Sequence, residues 1–86
     1  FVAYQVVIEK RAEKELSKLP AAMYPRIINA IADLSNTPRP RGFRKLEGYA
    51  NHFRIRIGDY QVIYTIEDDI LYVYVVGVSN RKDAYK

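Results

Sequence analysis

The 86-residue chain contains no cysteine, and its single histidine is His52. Without thiols there is no disulfide, no thiolate metal site and no cysteine nucleophile, and one imidazole cannot supply the several ligands that zinc needs. Neither a metal nor another cofactor is therefore expected. Long apolar runs are missing too: nothing approaches the roughly 20 residues of a membrane span, and no basic segment leads into an apolar one at the N-terminus. The chain reads as cytoplasmic, with no membrane partner. It begins with Phe1 rather than Met, so a few leading residues are expected ahead of it.

What is present is the balance of an ordinary globular domain, 49% apolar or aromatic and 28% charged. A chain this short has room for one core, so residues 1–86 are expected to form a single domain with little stability to spare. The formal charge of +4 becomes informative only if it is gathered on one face.

Residues 4–8, YQVVI, are β-branched and aromatic and predict a first strand. Residues 11–19 place Ala12, Leu16 and Leu19 on one helical stripe, which Pro20 ends. A second helix is predicted over 21–35, with Met23, Ile27, Ile28, Ile31 and Leu34 as its apolar stripe and Pro25 in its first turn, where the missing N–H does no harm. Residues 35–42, SNTPRPRG, form a connector carrying Arg39 and Arg41, with phosphate contact as a second reading of those arginines. From Phe43 the pattern turns to period two, predicting strands over 43–46, 52–57, 60–66 and 70–78. The fold class is α+β: an N-terminal strand and a two-helix hairpin packed on a mostly antiparallel four- to five-stranded sheet, in the order β-α-α-β-β-β-β. The polar, basic residues 80–86 are expected over one rim.

Gly58-Asp59 suits a two-residue hairpin turn, because glycine reaches positive φ without steric cost. That turn sets Arg56 opposite Gln61, Arg54 opposite Ile63 and Phe53 opposite Tyr64. Phe53, Ile55, Ile57, Val62 and Tyr64 then share one face, and Arg54, Arg56, Gln61, Ile63 and Thr65 the other. A second two-residue turn at Asp68-Asp69 sets Ile66 opposite Leu71, Tyr64 opposite Val73 and Val62 opposite Val75. It adds Tyr72, Tyr74 and Val76 to the arginine face and keeps two phenols out of the core. Guanidinium groups beside phenol rings suit single-stranded RNA, since arginines clamp phosphates and aromatic faces accept bases. The same pattern also fits the wet side of a half-buried sheet.

The stretch FRIRIGDYQVIY over residues 53–64, preceded by Lys45-Leu46-Glu47-Gly48 and followed by VGVSNRKDAYK over 76–86, resembles the RelE/ParE toxin superfamily, its RelE branch in particular. The resemblance covers the C-terminal half closely and the architecture of nearly the whole chain. It implies a toxin of a type II toxin-antitoxin system: an mRNA interferase that cuts the messenger in the ribosomal A site and is silenced by a RelB-like antitoxin. Operator DNA would be reached only through the antitoxin complex. It further implies that Arg54 and Arg56 are basic residues of the active face, that Arg81 contacts the reacting phosphate, and that Tyr85 is the C-terminal tyrosine of the site. Lys45 and Lys82, with Gln61, Tyr72 and Tyr74, are assigned to RNA contact. Two positions depart from the family pattern: Gln61 stands where many relatives have arginine, and Asn80 where histidine is frequent, which points to attenuated activity.

Metal-free cleavage uses the RNA's own 2′-hydroxyl as nucleophile, with a base, charge stabilisation at the phosphate and an acid for the leaving oxygen. Arg56 and Arg81 are assigned to the phosphate, Arg54 to positioning, and Tyr85 to proton transfer or base stacking, with a packing anchor as its other reading. His52 falls on the arginine face and is read as a structural or surface residue. The competing functions are gyrase inhibition of the ParE kind and a non-catalytic antitoxin-binding co-repressor.

Overall fold

The computed structural model describes residues 3–80, so Arg81, Lys82 and Tyr85 lie outside the described residues. The elements are β1 (Gln5–Ile8), α1 (Lys10–Leu16), α2 (Tyr24–Asp33), β2 (Arg44–Lys45), β3 (His52–Ile57), β4 (Tyr60–Glu67) and β5 (Tyr72–Asn80). The strands form one sheet in the order β1-β5-β4-β3-β2, antiparallel except for the parallel β1–β5 pair. The expected α+β order is thus present, with five strands.

Both helices are shorter than their periodicity predicts, for a local reason. After Leu16, the N–H groups of Lys18 and Leu19 reach back only three residues, to Glu15 and Leu16, and the chain tightens into a turn before Pro20. Met23 and Tyr24 then donate to the Pro20 carbonyl, so α2 starts at Tyr24 with Pro25 in its first turn. Ala12 and Leu16 of α1, with Ile27, Ile31 and Leu34 beside them, close over Ile55, Val62, Tyr64, Ile66, Val73, Val75 and Val78 of the sheet.

The β3–β4 hairpin has the predicted register throughout, from Ile57 opposite Tyr60 to His52 opposite Thr65. Gly58 at φ 61 with no positive φ at Asp59 is the sign combination of a II′ turn, whose twist matches the strands. The β4–β5 hairpin differs from the expectation. Its strands part after Glu67 opposite Tyr72, so the turn spans four residues and Tyr64 faces Val75 rather than Val73. The cause is Asp68, which accepts two hydrogen bonds from Arg39, at 2.8 and 3.2 Å, and a third from the Tyr4 hydroxyl at 2.7 Å. Bound outside the ladder, Asp68 cannot form a tight turn, and Leu71 closes the loop at φ 59. The shift is two residues, an even number, so Tyr72 and Tyr74 still miss the core. A bulge opposite Ile63/Tyr64 then admits the extra Val76 and sets Val62 against Val78 instead of Val75.

Tyr64 is fully buried, and its hydroxyl donates to the Pro38 carbonyl at 2.8 Å. Burial pushes its phenol up to about 12. Arg39 also lies 5.9 Å over the Phe53 ring. This arginine is committed to fastening the α2–β2 connector onto the sheet, which answers the phosphate-contact reading for Arg39.

Candidate nucleic-acid interface

The face turned away from the helices carries its side chains in rows set by the register. Arg56, Gln61 and Ser79 form one row; Arg54, Ile63 and Gly77 the next, with Arg44 of β2 opposite Arg54; His52, Thr65 and Tyr74 a third; Glu67 and Tyr72 a fourth. Rows are about 7 Å apart and strands about 4.8 Å. Arg54, Arg56 and Gln61 are therefore neighbours. Tyr72 and Tyr74, stacked at 5.7 Å and 19°, lie toward the other end, beside Gln5 and Val7 of β1. The structure puts all five on one face but separates the stacked tyrosines from the arginine rows.

At the β2–β3 edge, Arg41, Arg44, Arg54 and Arg56 surround a shallow groove, and no acidic side chain among the described residues lines it. Arg41 was expected only on the connector, with phosphate contact as a second reading, and the groove is where that reading finds a place. Arg44 was not singled out from sequence, because the register of the two-residue strand β2 is visible only once it pairs with β3. That pairing also sets Lys45 opposite Phe53, on the other face of the sheet from Arg54.

Beside this groove, over β4 and β5, lies a cleft of about 730 Å³. Its floor is Ile63, Val76 and Gly77, with Gln61 and Ser79 at one end. Leu46, Tyr49 and His52 make one wall, and Glu9 just before α1 with Arg11 and Glu15 of α1 the opposite one. That second wall was not foreseen, and it follows from the length of β1. This strand pairs with β5 only as far as Val75, leaving the outer edge of β5 uncovered beyond it. The Glu15 carboxylate takes the open edge, accepting the Val78 N–H at 2.9 Å while lying 4.0 Å from Arg11.

Gln61 is less available than expected: it is 7% exposed, with its amide 3.5 Å from the Ser79 hydroxyl. Asn80 pairs with Tyr60, in register with the helix-covered face rather than with Gln61. His52 is held by its Nδ1, 2.8 Å from the Ala50 carbonyl, with the Tyr49 ring 5.8 Å away. Tyr49 itself is 61% exposed, on a loop shaped by positive φ at Gly48 and Asn51 and tied to β4 by the Asn51 amide donating to the Ile66 carbonyl. Among the described residues no three His, Cys, Asp or Glu side chains gather as metal ligands.

A guanidinium groove beside a cleft whose far wall bears carboxylates divides the face electrostatically. The guanidinium side favours anions, while the α1 wall sets Glu9 and Glu15 around Arg11 and does not, and the apolar floor lies between them.

This build, a mixed sheet backed by two helices and basic along one edge of its open face, places the chain among small α+β proteins with an uncovered working sheet. Residues 6–85 match the family described as the ParE toxin of type II toxin-antitoxin systems, and the chain belongs to that RelE/ParE toxin superfamily. It is 31% identical to the toxin RelG of Mycobacterium tuberculosis over 84 residues, covering 96% of this chain and 97% of that one. It is 25% identical to the mRNA interferase toxin RelE of Escherichia coli over 83 residues, 94% of this chain and 86% of the other. The archaeal RelE–RelB complex from Pyrococcus horikoshii superposes with a TM-score of 0.79 at 34% identity, over 91% of this chain and 94% of the other.

Proposed function

We propose that this protein is a RelE-like mRNA interferase, a ribosome-dependent endoribonuclease that cuts the messenger in the A site. The observation that carries the reading is the arginine groove, lined by no acidic side chain among the described residues, running beside an apolar-floored cleft. Such a face holds a single strand by its phosphates and leaves its bases to the cleft. Arg54 positions the scissile phosphate, Arg56 and Arg81 stabilise its developing charge, and Tyr85 serves proton transfer or base stacking. Lys82 adds a phosphate contact, Lys45, on the opposite face of the sheet from Arg54, takes a structural role, Gln61 contacts RNA without neutralising it, and Tyr72 and Tyr74 offer a stacking platform. The chain works as a single cytoplasmic domain without a metal. A RelB-like antitoxin silences it, in keeping with the RelE–RelB complex it resembles, and operator DNA is met only through that complex.

The test adds purified protein to programmed ribosomes and maps breaks on the messenger. A-site cleavage is expected, and its absence at every protein level refutes the interferase reading. The second reading, gyrase inhibition, is favoured by the description of the matching family model, so a supercoiling assay runs in parallel. A third outcome, antitoxin binding with neither activity, would mark a co-repressor attenuated by Gln61 and Asn80.

A further inference from the structure

His52 is the only histidine of the chain, and an imidazole offers one nitrogen as a donor and the other as an acceptor. Its position is more specific than its sequence context suggests. The Ala50 carbonyl can only accept a hydrogen bond, so the 2.8 Å contact requires Nδ1 to carry the hydrogen. In the neutral ring the basic lone pair therefore belongs to Nε2, on the far side of the imidazole, and the ring lines the cleft. A backbone carbonyl fixing the tautomer in this way is the usual means of presenting one imidazole nitrogen to chemistry.

His52 is also at the right separation. It shares a face with Arg54 two residues along β3, a distance of roughly 7 Å between Cα atoms. A phosphate gripped by Arg54 thus comes within reach of the imidazole, whereas Arg56 is about 13 Å from it along the strand. Resting on the interferase reading, we infer that His52 is a catalytic residue, with Nε2 taking the proton from the attacking 2′-hydroxyl. As that O–H bond breaks, the O2′–P bond forms and the P–O5′ bond opens, leaving a 2′,3′-cyclic phosphate. The 5′-oxygen takes a proton from water, and the imidazolium returns its own to the hydroxide so formed. The charged and titratable groups lining the cleft with His52 are Glu9 just before α1, Arg11 and Glu15 of α1 and Tyr49 of the neighbouring loop; β4 and β5 contribute none to the lining, Arg54 follows on the same strand, and Tyr74 of β5 stands two strands away in the His52 row.

The experiment measures single-turnover cleavage on programmed ribosomes across pH 5.5 to 8.5, a range of about three units around the ordinary imidazole value, for the parent, His52→Gln and His52→Ala. Far-ultraviolet circular dichroism and thermal melts verify that each variant folds. The parent rate should rise with pH and level off, while His52→Gln should be about 100-fold slower or more and lose that rise. Added imidazole should restore part of the rate of His52→Ala. If the parent cuts and His52→Gln cuts as fast, or more slowly with the same pH profile, the proton-acceptor role is wrong while the interferase reading stands. If the parent does not cut at all, both fall.

Discussion

Removing one guanidinium from the β2–β3 groove should change how RNA binding depends on salt, by an amount set by the number of phosphates the groove contacts. Each phosphate neutralised on a single strand contributes about −0.7 to the slope of log affinity against log salt concentration. Arg41, Arg44, Arg54 and Arg56 line the groove with no acidic neighbour among the described residues. If each takes one phosphate, their joint slope is about −2.8, and Arg44→Gln reduces it to about −2.1. Between about 50 and 200 mM salt the parent should lose roughly 50-fold in affinity and the variant roughly 18-fold.

Fluorescence anisotropy with a short labelled 2′-O-methyl RNA measures this directly, since that oligonucleotide lacks the attacking hydroxyl. Arg44 is the informative choice because it is exposed on an edge strand, so its loss leaves the core untouched. Arg26→Gln serves as the control: it removes the same charge from exposed α2 surface and should leave the slope as it was. Equal slopes for all three proteins would show that the groove holds no phosphate. Equal reductions in both variants would mean that net charge, not the groove, sets binding.

Three further outcomes follow from other contacts. The hydrogen bonds from Arg39, then Tyr4, hold the Asp68 carboxyl down to about 2 from an ordinary 3.8. Its stabilising effect is thus complete above about pH 4 and lost as the pH falls toward 2, so melting temperatures of the parent and Asp68→Asn should converge over that window. Tyr64→Phe leaves the Pro38 carbonyl without its donor and should cost about 1 kcal/mol, read as a melting temperature lowered by roughly 4–8 °C. Gln61→Arg, beside Arg56, should bind RNA more tightly and steepen the salt slope by about 0.7, with faster A-site cleavage if the missing charge limits the rate.

How much of the fold was legible depended on how local its causes were. Gly58 determines the β3–β4 turn by itself, and the whole register from Ile57 to His52 followed from it. The β4–β5 turn depends on Asp68, whose partners Arg39 and Tyr4 lie 29 and 64 residues away in the chain. No local pattern reports such a contact. The faces survived because the error was an even number of residues, and the bulge at Val76 fell where strand alternation gives no warning. The carboxylate wall of the cleft was hidden for a similar reason: Glu15 matters through the β5 edge that the short β1 leaves open, a tertiary consequence of strand length.

The two departures from the family pattern, which the sequence groups as one weakening of one site, separate in the structure. Gln61 shares its row with Arg56 and Ser79 and is almost enclosed, so a neutral side chain there spares the protein the desolvation of a charge but also withholds that charge from a phosphate. Asn80 faces Tyr60, in register with the helix-covered side. On the interferase reading, substitution at 61 therefore acts in the Arg56 row at the end of the cleft, whereas position 80 lies on the other face of β5. If activity is attenuated, changing residue 61 should recover more of it than changing residue 80, and a histidine at 80 with Gln61 retained should leave the salt slope of RNA binding where it was.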